Sequence, residues 1–282
     1  MRLTVDQEKC TLCGACVLTC PTDMVRDKGG WIKISHVACI ECGHCVAVCP
    51  EGAVIVSDEK LRAQFAPRPE VVSGPDELLA LMRRRRTVRR YTDEPVPREA
   101  LERLLDAARW APSGANCQCV EFVVITSPER RAALREQTMD HYRAWAEALE
   151  ARASLPADEG AEAIHPHILA AVPALVKNVA AGRDRLLFDA PAVIVVHADP
   201  NAVLPREACA LATCQLMLMA ESLGLGTCLT GYASEALQVL LAARAELGLP
   251  ETNRVYHVVT AGRPAETFRL VPPRKSAQVR WL

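Results

Sequence analysis

The chain lacks any long apolar run. Its richest apolar stretch, Ala208 to Ala220, is interrupted by Thr213 and Gln215, whereas a bilayer-spanning helix needs about 20 apolar residues in succession. The opening residues, Met1-Arg2-Leu3-Thr4-Val5-Asp6-Gln7, do not contain the apolar core of a secretory leader. Charge of one sign is not in excess either: 33 Lys and Arg stand against 34 Asp and Glu, a formal net charge of −1. That balance favours neither nucleic acid nor an acidic membrane surface as a partner. No G-x-G-x-x-G follows a strand-like run, so a Rossmann nicotinamide site is not expected. The expectation from these absences is a soluble, cytoplasmic protein with no nucleic-acid or membrane partner.

What the chain does have is cysteine, 13 in all. Cys10, Cys13, Cys16 and Cys20 precede Pro21, and the same spacing returns at Cys39, Cys42, Cys45 and Cys49 before Pro50. Each run reads C-x2-C-x2-C-x3-C-P, the pattern that holds a [4Fe–4S] cluster. Three thiolates two residues apart can turn onto one cube, while the fourth ligates the other cube in a two-cluster arrangement. The expected sets are therefore Cys10, Cys13, Cys16 and Cys49, and Cys39, Cys42, Cys45 and Cys20. Zinc ribbons carry two separated C-x2-C pairs instead, and disulfides need an oxidising compartment that nothing here suggests. The other five cysteines are scattered and need no metal to explain them. Residues 1–57 resemble two-cluster bacterial ferredoxins, which implies one-electron carriers of low potential.

At 282 residues the chain has room for one or two domains, and half its residues are hydrophobic. A module of about 57 residues leaves space for a larger domain. Trp31–Ile34 and Ala53–Val56 read as short strands, the second the counterpart of the first. Residues 58–75, with Pro67, Pro69 and Pro75, read as a linker, and 76–282 as the second domain. Within it helices are expected from Asp76 to Arg86, from Pro97 with Leu101, Leu104, Leu105 and Ala108 on one face, and over 128–153 and 161–181. Further helices are expected over 206–224 and 234–247, and strands over 121–126, 192–198 and 255–260. Residues 226–231 read as a glycine-bounded loop or short strand. Strands and helices mix without regular βαβ alternation.

Four motifs stand in order along this domain. They are Arg85-Arg86-Thr87-Val88-Arg89-Arg90-Tyr91, then Ala111-Pro112-Ser113-Gly114-Ala115-Asn116-Cys117-Gln118, then Gly224–Gly231, then Gly262-Arg263-Pro264 with Pro272-Pro273-Arg274-Lys275. Together they resemble the nitroreductase family, whose members bind FMN, over about residues 76–282. The whole layout resembles ferredoxin–nitroreductase fusions. The resemblance implies an α+β fold: a small two-cluster domain followed by a central, mostly antiparallel sheet wrapped by helices. A phosphate dianion needs converging guanidinium groups and a hydroxyl. By resemblance these are Arg85, Arg86, Thr87 and Arg89, with Arg274 and Lys275 closing the ring from the C-terminal end. Arg83, Arg84 and Arg90 are expected in solvent. Ser113, Asn116 and Gln118 match flavin-contacting positions, although Ser113 and Gln118 also suit a self-capped turn. Thr230 and Gly231 match the loop near flavin N5. Where many relatives have Gln-Pro-Trp, this chain has Gln118-Cys119-Val120.

The family also forms intertwined homodimers, and helix 206–224 is read as either an interface or a core helix. His141, Tyr142, Trp145, His165 and His167 are weaker candidates for a substrate pocket, since such residues on helices usually pack. Val279–Leu282 is expected to tuck onto the fold. No catalytic side chain is required, because two [4Fe–4S] clusters and FMN carry the electrons. The expected function is an FMN-dependent oxidoreductase. An external donor, ferredoxin or NAD(P)H, would feed the clusters and FMN, and a small organic acceptor (nitro compound, quinone or activated double bond) would receive the electrons. The rivals are a non-catalytic electron-transfer protein serving a partner enzyme, and flavin-dependent dehalogenation or flavin fragmentation.

Overall fold

The computed structural model describes residues 1–67, 69, 73–153 and 166–282, with the side chains of 152, 153 and 166–170 also outside the description. The chain divides into two compact units. One comprises Met1–Ser73 with Gly114–Cys117, the other Gly74–Ser113 with Gln118–Leu282.

The first unit is two small antiparallel ladders. β1 (Leu3–Val5) pairs with β4 (Val54–Val56), and β2 (Val25–Asp27) with β3 (Ile32–Ile34). Both strands expected from the sequence are present, Trp31–Ile34 containing β3 and Ala53–Val56 containing β4, and they lie in different ladders. Each cysteine run enters a one-turn helix, α1 (Ala15–Leu18) or α2 (His44–Ala47). Gly14 and Gly43 precede them, both at φ 73°, a left-handed backbone that suits glycine. The core is slight: Leu3, Val25, Ile32, Val54 and Val56, with the thiols of Cys16 and Cys45. A short helix α3 (Glu59–Arg62), N-capped by the Asp58 carboxylate, stands within the stretch read as linker.

The second unit is built on a four-stranded antiparallel sheet in the order β5-β6-β8-β7: β5 is Glu121–Ile125, β6 Ala192–Ala198, β7 Gly226–Leu229 and β8 Arg254–Gly262. β6 is Ala-Val-Ile-Val-Val-His-Ala, and all seven residues are buried. Side chains alternate across a strand. Val193 and Val195 therefore pack one way, against α6 (Pro128–Ala153), α7 (Pro166–Ala180), α9 (Gly231–Val239) and α10 (Leu241–Glu246). Ala192, Ile194 and Val196 pack the other way, against α5 (Arg98–Arg109) and α8 (Pro205–Ser222). Two apolar faces are why this strand reads as a continuous hydrophobic run. Fully burying one such side chain stabilises by roughly 1.5–3 kcal/mol.

Several expectations change. The helix expected over 234–247 is two helices, broken at Leu240 (φ −81°, ψ 76°). Pro166, at which the 161–181 run could be interrupted, is the first residue of α7, and Pro173 lies inside that helix. The α8 helix turns Ala208, Cys209, Ala212, Leu216 and Ala220 into the core, while Leu211 on the other side is exposed. Tyr142 is fully buried, its hydroxyl donating to Tyr232 O at 2.9 Å, and Trp145 stacks on it with ring centroids 5.7 Å apart. This pair is packing, not pocket lining. His165 and the side chain of His167 lie outside the described residues. The tail does not tuck in: Trp281 is 91% exposed, and everything from residue 267 onward faces solvent. Among the described residues no helix is long and apolar enough to cross a membrane.

Candidate functional site

In the first unit the cysteines gather as two crossed sets. Cys10, Cys13, Cys16 and Cys49 line one cavity with Ile32, Val54 and Glu51. Cys20, Cys39, Cys42 and Cys45 line a second with Val25, Ile34 and Thr22. In each, the distant fourth cysteine arrives from the other run. Among the described residues no three His, Cys, Asp or Glu side chains converge closely enough for a single metal ion; each set surrounds a space instead. Backbone donors aim at the crossing sulfurs in the same way in both halves. Met24 N donates to Cys20 Sγ and Ala53 N to Cys49 Sγ, each at 3.2 Å. Such donors orient a ligating thiolate and tune what it binds.

Burial raises the Cys16 thiol, and like charge from Cys49 and Cys10 adds to it. Burial likewise pushes the Cys45 thiol up to about 11, with Cys42 and Cys39 contributing. At Cys20 burial works upward as well, but hydrogen bonds from the Thr22, Met24 and Val25 backbone and the Thr22 hydroxyl outweigh it, so the thiol sits below its ordinary value. Thr22 Oγ1 lies 3.8 Å from Cys20 Sγ. The position two residues after Cys49 is Glu51, a carboxylate in the other cavity. Bringing buried thiols to the ligating form releases protons, so the four-cysteine sets suit a group whose charge holds them as thiolates.

In the second unit a strap runs from the end of α4 (Pro75–Arg84) to Thr92. Pro75 at the first helical position and the Glu77 carboxylate accepting from Gly74 N start α4. At Arg85 the backbone turns extended. The strap then lies parallel to β7: Thr87 bridges Thr227, and Val88 N donates to Thr227 O at 2.9 Å. It continues antiparallel to the chain after β8, with Thr92 N donating to Arg263 O and Ala265 N to Arg90 O. Tyr91 pins it. Its hydroxyl donates to Val88 O at 2.8 Å and sits 2.9 Å from Thr260 Oγ1, and burial raises its pKa. The fit is tight at Gly226, where an added Cβ would come 2.5 Å from Val88 Cγ2.

This places Thr87 beside β7, with Arg85 and Arg86 half-buried at the head of the strap and Arg89 exposed. Arg86 Nε donates to Arg84 O at 3.2 Å. Arg89 lies over the Phe188 ring at 5.9 Å and beside Cys228, whose thiol burial raises against Arg89's opposing charge. Arg84, expected in solvent, is exposed and makes a surface pair with Glu221 at 3.4 Å. Directly after β7 come Thr230 and Gly231. Thr230 N donates to Val258 O, and its side chain caps α9 by accepting from Ala233 N. Ser234 Oγ accepts from Val258 N and donates to Thr230 O, both at 2.8 Å, which fixes this turn to β8. A Cβ added at Gly231 meets no atom of the chain within 4 Å, so internal packing does not demand glycine there.

The turn at 113–118 is wound tightly. Ala115, Asn116 and Gln118 all have positive φ (48°, 54° and 46°), costly for side-chain-bearing residues. Ser113 Oγ accepts from Gln118 N at 2.9 Å, the self-capped arrangement. Asn116 groups with the N-terminal unit, its Nδ2 donating to Glu41 O at 3.2 Å and Ile40 O at 3.3 Å. Arg274 and Lys275 lie on the exposed tail, Arg274 Nη1 donating to Pro273 O. The structure therefore brings Arg85–Arg89 and Thr230–Gly231 to one strand, β7, while Arg274 and Lys275 stand on the exposed tail. Ser234, Tyr91 and the Val88–Gly226 contact had no sequence signal. Thr22 and Met24 had one: each sits at a fixed offset from the last cysteine of its repeat.

Comparison with known proteins matches residues 82–263 to the nitroreductase family and residues 2–62 to a 4Fe-4S dicluster domain. A nitroreductase of Bacteroides fragilis, solved with bound FMN, superposes with a TM-score of 0.56 at 22% identity, covering 73% of this chain and 98% of that one. It speaks for the fold. A Methanothermobacter thermautotrophicus protein provisionally named NADH dehydrogenase/NAD(P)H nitroreductase is 27% identical over 195 residues, 67% of this chain and 78% of its own length. An iodotyrosine deiodinase of Haliscomenobacter hydrossis is 39% identical over 74 residues, 26% of this chain, and the match spans only 33% of that relative. With well over half of its length matched by one family model, an antiparallel sheet between helical layers, and two crossed four-cysteine sets ahead of it in sequence, the chain belongs to the nitroreductase family and carries an N-terminal 4Fe-4S dicluster domain.

Proposed function

We propose that the protein is an FMN-dependent reductase. Electrons from an external low-potential donor pass through two [4Fe–4S] clusters to FMN and on to a small organic acceptor: a nitro compound, a quinone or an activated double bond. The observation that carries this reading is the strap. Its arginines and Thr87 run along β7 toward Thr230 and Gly231 in a chain that also holds two cysteine-lined cavities. Arg85, Arg86, Thr87 and Arg89 offer guanidinium and hydroxyl donors to a phosphate dianion. Arg274 and Lys275, on the exposed tail, would add two further cations. Gly231, bare although its own chain leaves room for a side chain, suits the close passage of a flat ring. Ser113, Asn116 and Gln118 hold a turn whose strained backbone presents polar groups. FMN, when bound, converts the single electrons that clusters carry into the pair that an organic acceptor takes.

The cluster domain is assigned to residues 1–57, the linker to 58–75 and the flavin domain to 76–282. Leu78, Leu79 and Met82 on α4 and the apolar residues of the tail are exposed, as suits the buried face of a homodimer. The local likeness to a deiodinase favours a second reading, reductive dehalogenation on the same flavin.

Protein purified without oxygen should hold about eight irons and FMN. Reduced ferredoxin or NADPH should bleach clusters and flavin, and a panel of acceptors should reoxidise them, with halide release marking the second reading. Clusters that reduce while the flavin stays oxidised would sink both. Arg85→Ala should weaken FMN retention about 10- to 100-fold, the range for a lost charge-assisted hydrogen bond, with iron unchanged; full flavin occupancy would displace the phosphate site.

A further inference from the structure

The β2–β3 hairpin carries a charge pattern that its own stability does not ask for. Arg26 and Lys33 are directly opposite each other, and like charges at such a pair destabilise a ladder. Lys28 follows on the same side, two residues from Arg26. The three cations are exposed and, with Met24 and Ser35, line one shallow depression. Among the described residues none of the three has a carboxylate within ion-pair distance. Arg26 donates to the backbone oxygen of Asp23, and the Asp27 carboxylate accepts from Gly29 N and Gly30 N. Residues 1–57 hold five Lys and Arg against six Asp and Glu, so a face holding three of the five cations is a local concentration against the balance of its module. By the same alternation Trp31, 47% exposed, stands beside Lys28. Arg and Trp are the side chains that most often anchor protein partners.

The depression also touches the redox ligands. Met24 lines it, and Met24 N donates to Cys20 Sγ at 3.2 Å. A carrier seated there lies one residue and one hydrogen bond from a cluster thiolate.

We propose that the outer face of the β2–β3 hairpin (Arg26, Lys28, Trp31 and Lys33) is the docking site for an acidic one-electron carrier protein, the donor that fills the clusters. This rests on the reading that electrons enter through the cluster domain. A hydride donor does not fit the face, since an iron–sulfur cluster takes one electron at a time. Nor do three cations reach the four to eight that anionic lipid surfaces recruit.

The test uses the full-length holoprotein under anaerobic conditions. Stopped-flow bleaching of the clusters by a reduced, acidic bacterial ferredoxin is compared with bleaching by a photoreduced neutral deazaflavin, which needs no docking face. In the Lys28→Glu/Lys33→Glu variant the ferredoxin rate constant should fall about 10- to 100-fold at low salt, and its dependence on salt should flatten. The deazaflavin rate and iron content should be unchanged. The single variant Lys33→Glu, which places opposite charges at the pair with Arg26, should lose donor rate while melting no lower than the parent. Equal ferredoxin rates in parent and variants would overturn the proposal. So would a parent protein that ferredoxin does not reduce, or a variant that loses binding to phosphatidylserine vesicles but keeps its ferredoxin rate. Failure of the wider reading looks different: deazaflavin fills the clusters, and the flavin stays oxidised.

Discussion

The two units of the chain keep their shape by different means. The second has a central strand buried on both faces and helices packed on either side of it. The first has strands of three residues and a core whose buried members include two thiols. One is a fold that makes room for a site. In the other the site is most of the interior, and small domains without a sufficient core depend on such metal links.

The largest test of that contrast is Cys45→Ala. It removes a buried core member and a proposed ligand together. Iron should drop from about eight per chain to about four or fewer, and the N-terminal amides should lose hydrogen-exchange protection while those of β6 and β8 keep theirs. Equal loss of protection in both units would erase the contrast. Gly226→Ala runs the other way. The new Cβ meets Val88, and overpacking of this kind costs typically 1–3 kcal/mol. Flavin retention and melting temperature should fall with iron intact; an unshifted melt would mean that the strap yields freely. Thr22→Val is the finest probe. It removes a hydroxyl near Cys20 without touching the core, a contact worth at most about 1 kcal/mol at its length. In an EPR-monitored titration one cluster should move to more negative potential and the other stay in place. Movement of both, or of neither, would separate Thr22 from cluster tuning.

Legibility in the sequence followed the same divide. The cysteine spacing named its chemistry outright, and Cys20 lines the cavity of the later run and Cys49 that of the earlier one. Strand β6 was readable because two buried faces leave an unbroken apolar run. β1 and β2 were not, although β3 and β4 are as short: β3 follows a Gly-Gly turn and β4 is wholly β-branched, while Leu3-Thr4-Val5 and Val25-Arg26-Asp27 carry neither signal. The break at Leu240 was hidden by an Ala- and Leu-rich run that suits one helix as well as two. The arginines were visible as a charged run, whereas what fixes their course was not. Tyr91 meets Thr260 across 169 residues, and the bare position at Gly226 is explained only by Val88. Ser113 shows the opposite limit: a hydroxyl that suits a ligand is occupied by its own turn.

The crossing of Cys20 and Cys49 has one further consequence. On the proposed ligation each half of the repeat lends a sulfur to its neighbour, so each half carries ligands to both inorganic centres. Oxygen damage to one would loosen the peptide that frames the other, and inactivation by air should run as a single cooperative event.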